Sequence, residues 1–408
     1  MRVREFPKKD LIDYKDVAGN ATVERILTKA EKLKGLRIVH VNATSFGGGV
    51  AELLYTLVPL MRSVGIDAQW EVLEAPNDFF VITKKFHNML QGAEIELTEK
   101  EWSYYLKVNE ENAKKLNLDA DVLIIHDPQP AAIPLYLDTK AKLVWRCHID
   151  LSNPFKEFWR RFKELLAPYE KLLFHLEEYF PKEFSDKAVQ FPPSIDPFSD
   201  KNKELNRSDI DSVIERFGID KNKPLMTVVA RFDPWKDLFS SIDVYRKVKE
   251  KIDVQLAIVS AMASDDPEGW IFFEKVLRYA GVDEDVKFLT NLIGVGSLEV
   301  NAIQRASTIG LHTATREGFG LVISEMMWKG NPVVARPAGG VKIQIDDGEN
   351  GFLRWEVNDL ADVSIELIKN ENLKKEMGMK AKEKVRRDFL STSHLERYID
   401  VILSVIEK

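Results

Sequence analysis

Short apolar runs that stop abruptly at polar or glycine-rich turns, each followed by helical patterning, recur along this chain and limit its fold. The first, residues 36–41 (Leu-Arg-Ile-Val-His-Val), runs into Asn42 and three consecutive glycines. A helix then begins near Val50, with Ala51, Leu53, Leu54, Leu57, Leu60 and Met61 on its apolar side. Further strands are predicted at 68–73, 121–126, 142–149 and 172–176, with helical stretches over 79–116 and 154–166. Runs this short, apolar and bounded by turns are buried strands of a parallel sheet when helices separate them. After a proline-rich and then polar run at 189–200, the rhythm restarts. Strands are predicted at 224–230, 254–260, 286–289, 308–313 and 332–335.

The prolines mark a domain boundary. The expectation is an α/β chain of two Rossmann-like α/β/α domains, 1–195 and 196–390, facing each other across a cleft. Residues 1–35 read as a charged, mostly helical lead-in, and the segment from Leu373 on as charged and amphipathic. At 408 residues the chain is also too long for one ordinary core.

Composition excludes several function classes. A formal net charge of −7 without a long basic run argues against a nucleic-acid partner held by charge. The lone Cys147 excludes an intrachain disulfide and a cysteine-rich zinc site. The first residues lack the apolar stretch of a signal peptide, and no apolar run reaches membrane-spanning length. A cytoplasmic protein without a membrane partner is expected. Neither H-E-x-x-H nor a D-x-D at a strand end is present, so no catalytic metal is expected.

Residues 316–328 (Arg-Glu-Gly-Phe-Gly-Leu-Val-Ile-Ser-Glu-Met-Met-Trp) form the most informative stretch. A predicted strand precedes them, Gly318 and Gly320 hinge a turn, and an apolar helix follows. Such a unit turns free N–H groups and the positive end of a helix dipole towards a ligand, which suits phosphate. Glu317 and Glu325 stand eight positions apart. A fully helical path would separate them by about 12 Å, beyond the roughly 5–9.5 Å of a glycosidase acid–base pair. They are read as touching different parts of one long ligand with a charged middle, a nucleotide-diphosphate sugar. The plain alternative is a solvated helix face.

Arg231 and Lys236 follow another predicted strand, where a planar fork and a point charge suit a diphosphate. Cations at a helix start are unfavourable unless an anion is present; the alternative is ordinary surface charge. Gly48 and Gly49 suit close approach of backbone to a diphosphate or sugar, or serve only as a turn. His148 ends one strand. His126, Asp127 and Gln129 end its neighbour and are acceptor-site candidates. Lone strand-end histidines are commonly structural, as His40, His87, His175, His312 and His394 are read to be.

The Glu317/Glu325 spacing within R-E-G-F-G-L resembles the E-x7-E signature of retaining glycosyltransferases with the GT-B fold, family 4 in particular. The resemblance implies that Glu317 lies beside the donor sugar and Glu325 on the nucleotide ribose. Arg231 and Lys236 match that family's diphosphate clamp, and His148 a histidine at the donor sugar. The implied donor set also includes Gly48, Gly49, Leu292, Gly318, Phe319, Gly320 and Leu321. The implied acceptor set is Asn42, His126, Asp127, Gln129, Arg146 and Asp150. Motifs at 47–52, 126–130, 145–150, 193–197, 263–268 and 325–330 run in order, and look like the trehalose glycosyltransferring synthases of hyperthermophilic archaea and some bacteria. That resemblance implies transfer of glucose from ADP-glucose or UDP-glucose to free glucose, giving trehalose (α,α-1,1) reversibly. It further implies a homodimer and a C-terminal helix, 391–408, that crosses back onto the first domain. No cofactor is obligatory; Mg2+ at most stimulates through the nucleotide diphosphate. One departure is His312, where glutamine is expected. Alternatives are another family 4 glucosyltransferase (sucrose- or glycogen-synthase-like), a non-catalytic two-lobed sugar-binding protein, and a sugar-nucleotide epimerase.

Overall fold

The computed structural model describes residues 1–46, 49–262 and 267–407. Gly48, expected to meet the donor, lies outside the described residues, as do Gly47 and 263–266 of the quoted motifs. The chain divides into two compact units, Met1–Pro193 with Ser391–Lys408, and Ser194–Leu390.

The first unit holds six parallel strands: β1 (Arg37–Asn42), β2 (Asp67–Val72), β3 (Val122–His126), β4 (Lys142–Arg146), β5 (Lys171–Phe174) and β6 (Ala188–Gln190). Their spatial order is β2-β1-β3-β4-β5-β6. The second holds β7 (Leu225–Val229), β8 (Gln255–Ser260), β9 (Val286–Thr290), β10 (Ile309–His312), β11 (Val333–Ala335) and β12 (Gly351–Leu353), ordered β12-β11-β10-β7-β8-β9. The strand pairings within both sheets are parallel. Central strands such as β3 (Val-Leu-Ile-Ile-His) are buried throughout, because helices cover both sheet faces. Strands β6 and β12 are not among the predicted strands. Each is short, and neither contains more than two apolar residues in a row.

The lead-in is helical over Asn20–Ala30, but its first residues do something else. Val3 N–H donates to Trp70 O (2.9 Å), and Val72 N–H to Met1 O (2.8 Å). Residues 1–3 thus cover the edge of β2, which protects unpaired strand groups.

The helix Ser391–Ile406 belongs to the first unit, beside Asn20–Ala30. It buries Leu395, Tyr398, Ile399, Ile402 and Val405 in the core that holds Val23 and Ile26. Burial contributes about 1.5–3 kcal/mol per large apolar side chain. The accompanying ion pairs, Arg25–Glu396 (2.7 Å) and Lys29–Asp400 (2.8 Å), are partly solvated and contribute about 0–1 kcal/mol each. Apolar contact holds this helix, and the charges set its register. Among the described residues no helix is long and apolar enough to cross a membrane.

Candidate active site

In the second unit, β10 ends at His312, a turn carries Glu317, and the helix Leu321–Trp328 starts at Gly320. Gly320 has φ 82°, the left-handed conformation that glycine adopts without strain. Gly340 is required for another reason. A Cβ there would lie 2.6 Å from Phe319 Cα. Gly340 N–H donates to Gly318 O (3.2 Å), and Gln344 Nε2 donates to Phe319 O (2.6 Å), so the loop rests on the segment after β11.

This loop brings Glu317 against Lys236, 81 positions away in sequence, with Nζ 2.6 Å from Oε2. His312 Nε2 lies 3.1 Å from the same oxygen. Burial alone would raise the Glu317 carboxyl, but His312 and Lys236 outweigh it and hold the carboxyl at about 2. Glu317 is therefore ionised at every physiological pH.

Lys236 is pinned from behind. Thr313 Oγ1 donates to the Asp237 carbonyl (2.9 Å), and Thr315 N–H donates to Trp235 O (2.8 Å). Asp237, in the left-handed region at φ 44°, caps the helix Leu238–Lys249 by accepting from Ser240 N–H. Its Oδ2 accepts from Arg336 Nη1 (2.6 Å). Arg336 Nη1 also reaches Thr313 O (2.8 Å), while Nη2 reaches Ser240 Oγ (3.0 Å) and Nε reaches Trp355 O (2.9 Å). One buried guanidinium thus ties together the ends of β10 and β11 and the loop that presents Lys236.

Other expected donor residues are placed less uniformly. Glu325 is buried on the same helix, and Lys329 one turn later donates to its carbonyl (3.0 Å) and to Asn202 Oδ1 (3.0 Å). Burial pulls the Lys329 ammonium down to about 7. Arg231, expected in the clamp, has a side chain that is 73 % exposed, with Nη2 3.6 Å from Asp233. Phe319 turns its ring into the core against Phe389 (5.6 Å) and offers a ligand only backbone. Leu292 is exposed in a short turn after β9. Gly49 opens the helix Gly49–Ser63, with open space where a Cβ would sit.

In the first unit, the polar residues at the strand ends form a layered cluster. His40 Nδ1 lies 3.0 Å from His126 Nε2, and His126 Nδ1 lies 3.1 Å from His148 Nε2. His175 packs edge-on against His148 at 5.7 Å. Asp127, at φ 65°, accepts from His148 N–H (2.7 Å), and its carbonyl accepts from Trp145 Nε1 (3.0 Å). Burial raises the Asp127 carboxyl to about 7.

Three of the expected acceptor residues are placed as follows. His126 and Arg146 are both buried. The Arg146 guanidinium packs over Phe191 (4.9 Å), and burial lowers it to about 10. Asn42 is engaged at both ends of its amide, accepting from Trp70 Nε1 (2.7 Å) and donating to Thr44 O (2.7 Å). Gln129 is partly buried, its carbonyl accepting from Asn109. Asp150 accepts from Ser152 N–H in a turn.

Burial lowers His126, His148, His175 and His394 well below the ordinary imidazole range, and His40 to about 3. Above about pH 6.5 these rings are neutral whether the chain is folded or not. Below it, the unfolded chain takes up protons that the folded cluster refuses. Stability therefore falls as pH drops from about 6.5 towards about 3, by up to about 1.4 kcal/mol per pH unit for each ring. Six of the seven histidines lie in the first unit. Amide hydrogen exchange between about pH 6 and 4 should show strands β1–β6 losing protection before β7–β12. The reverse order would remove the cluster as the acid-labile element.

With this geometry in view, similarity to known proteins becomes decisive. Residues 40–181 match the family described as trehalose synthase, N-terminal domain, and residues 209–384 match glycosyl transferases group 1. A trehalose synthase of Pyrococcus horikoshii is 54 % identical over 99 % of both chains. This chain belongs to the trehalose synthase family. A member from Rubrobacter xylanophilus is 41 % identical over 94 % of both chains. Among solved structures, an α,α-trehalose-phosphate synthase (UDP-forming) of Burkholderia xenovorans in complex with glucose-6-phosphate superposes with a TM-score of 0.70. It is 13 % identical and covers 90 % of this chain and 100 % of its own, a likeness of fold. The two six-stranded parallel sheets are those of the GT-B glycosyltransferases. The chain is a trehalose-forming glycosyltransferase.

Sequence reasoning overlooked Arg336, Asp237 and Gln344, and set His40, His175, His312 and His394 aside as structural. His312 alone carried a signal, since it closes the strand that leads into the 316–328 motif.

Proposed function

We propose that this trehalose synthase family member is a retaining glucosyltransferase that joins glucose from ADP-glucose or UDP-glucose to free glucose, reversibly. The carrying observation is the ionised Glu317 beside Lys236 at a strand–glycine turn–helix unit. A fixed negative charge suits a sugar that becomes oxocarbenium-like. An ammonium next to it suits the departing diphosphate.

In this reading residues 196–390 bind the nucleotide sugar. The ribose sits on Glu325, the diphosphate between Arg231, Lys236 and the amides near Gly320 and Leu321, and the glucose by Glu317 and His148. Residues 1–195 supply the acceptor side, with Asp127 and its neighbours at the strand ends. The acceptor hydroxyl attacks the anomeric carbon from the face that the nucleotide leaves. The anomeric C–O bond to phosphate breaks, and the leaving phosphate oxygen takes the hydroxyl's proton. Closure that excludes water protects the reactive sugar from hydrolysis. Mg2+ acts at most through the diphosphate. The enzyme works as a cytoplasmic homodimer.

The test is nucleotide release from ADP-glucose and UDP-glucose at high temperature, with no acceptor, with glucose and with glucose 6-phosphate. Product anomers are read by NMR. Glucose-dependent release with an α,α-1,1 disaccharide is expected, as is glucose formation from trehalose plus the nucleoside diphosphate. Release only with another acceptor overturns the free-glucose reading. No release under any condition overturns the nucleotide-sugar reading.

A further inference from the structure

Three histidines, carried by the neighbouring strands β1 and β3 and by the turn after β4, stand in one row. His40 Nδ1 meets His126 Nε2 (3.0 Å), and His126 Nδ1 meets His148 Nε2 (3.1 Å). The His126 and His148 rings are nearly coplanar, at 14°, as a straight N–H···N bond between them needs. His40 and His126 are buried, whereas His148 is partly exposed. The row therefore runs from the core to a ring that solvent reaches. In the reading proposed above, that ring faces the donor glucose.

A neutral imidazole carries one N–H and one bare nitrogen. Two bonds in series then leave two arrangements: every proton points towards His148, or every proton points towards His40. The second puts an N–H on His40 Nε2. That nitrogen is buried with no hydrogen-bond partner among the described residues, and orphaned buried N–H groups are rare in folded proteins. The first leaves only a bare nitrogen there and puts the free N–H on His148 Nδ1, at the exposed end. A doubly protonated His126 is opposed as well. Arg146 pairs in register with it on β4, and the guanidinium nitrogens find no acceptor among the described residues. Burial, with His40 and this charge, holds the His126 imidazole well below its ordinary range.

We infer that His126, itself oriented by His40, fixes His148 in the tautomer that carries its proton on Nδ1, so that this ring offers an N–H to a sugar oxygen. The bond made by one ring nitrogen decides which form the other presents. His126 and His40 are then positioning residues that never touch the sugar. A ligand group that meets His148 has to accept a hydrogen bond, as a hydroxyl oxygen does.

The inference rests on the proposed reading of the site, and two measurements separate them. Long-range proton–nitrogen NMR of the full chain at neutral pH, with isotopically labelled histidine, reads which ring nitrogen bears the proton. Comparison with His148→Gln assigns the signal. His148 should be protonated on Nδ1 and bare on Nε2. Transfer from ADP-glucose and UDP-glucose to glucose is then measured for wild type, His148→Ala, His126→Leu and His126→Asn. His126→Leu should lower transfer about ten-fold, the worth of one hydrogen bond, and free the His148 tautomer. His126→Asn, whose amide N–H stands where Nδ1 does, should keep the Nδ1 proton and recover transfer to within about three-fold.

The wild-type spectrum decides even if His126→Leu fails to fold. A His148 proton on Nε2, or on both nitrogens, overturns the inference and leaves the reading of the site intact. So does a loss of transfer in His126→Asn as large as in His126→Leu. Full transfer by His148→Ala takes His148 away from the sugar, and overturns that part of the reading together with the inference.

Discussion

Replacing Glu317 with alanine should lower kcat about 10²–10³-fold with donor and acceptor saturating, the usual loss when one preorganised electrostatic group is removed. Two roles are open to a carboxylate beside a reacting sugar, and its ionisation separates them. A general acid works best with a pKa near the operating pH. Glu317 instead sits at about 2, since His312 and Lys236 overcome the burial that would raise it. It is no proton donor, and it meets the sugar as a charged group. Glu317→Gln, which keeps the shape and loses the charge, should therefore be nearly as slow as Glu317→Ala. The rate should show no ionisation of this residue above about pH 4. The same depressed pKa has a stability consequence. The ionised carboxylate's contribution is present above the ordinary glutamate range and is lost as pH falls towards about 2. Rates measured at saturating donor and acceptor, with thermal midpoints taken in parallel, check the assignment. Full transfer by Glu317→Ala would remove Glu317 from the chemistry.

The parts of this site that lie within one local unit were legible in the sequence. The run from β10 through 318–320 into Leu321–Trp328 is a short apolar stretch, a glycine turn and a helix, and each declares itself over a few residues. Lys236 was legible for the same reason, as a cation where a helix dipole disfavours one. Local reasoning does not reach contacts with a distant partner. Arg231 and Lys236 looked like a pair, but an intervening 3-10 turn sends Lys236 to Glu317 and leaves Arg231 in solvent beside Asp233. Arg146, a ligand candidate at a strand end, is buried over Phe191, a residue 45 positions later, as only the folded sheet reveals. The histidines show no ligand spacing in sequence because β1, β3, β4 and β5 each bring one to the cluster, in or just past the strand. Asn42 follows the same logic: its amide is consumed by Trp70, on the adjacent strand β2.

Arg336 is the clearest residue of that hidden kind, and Arg336→Leu should lower stability by about 3–5 kcal/mol, the cost of removing one partner from a buried ion pair. Its guanidinium is 7 % exposed and reaches Asp237, Thr313, Ser240 and Trp355. Leucine fills much of the volume but leaves the Asp237 carboxylate and two backbone carbonyls short of a donor. Unsatisfied buried acceptors are costlier than the bonds they replace are favourable. Arg336→Lys should recover little, because one ammonium cannot reproduce a planar fork that meets four groups. Asp237→Asn in the Arg336→Leu background should recover about 1–2 kcal/mol, since it removes the unpaired charge and keeps an oxygen able to cap Leu238–Lys249. Chemical denaturation of the four proteins measures all of this. Activity supplies a second reading, because Arg336 fixes Asp237 and Thr313, and these fix Lys236. Under conditions where Arg336→Leu is still folded, transfer should fall with it, and donor KM should rise more than acceptor KM. A stability loss below about 1 kcal/mol would mean that water replaces the guanidinium adequately, and the placement of Lys236 would then have to come from the Thr313 and Thr315 contacts alone.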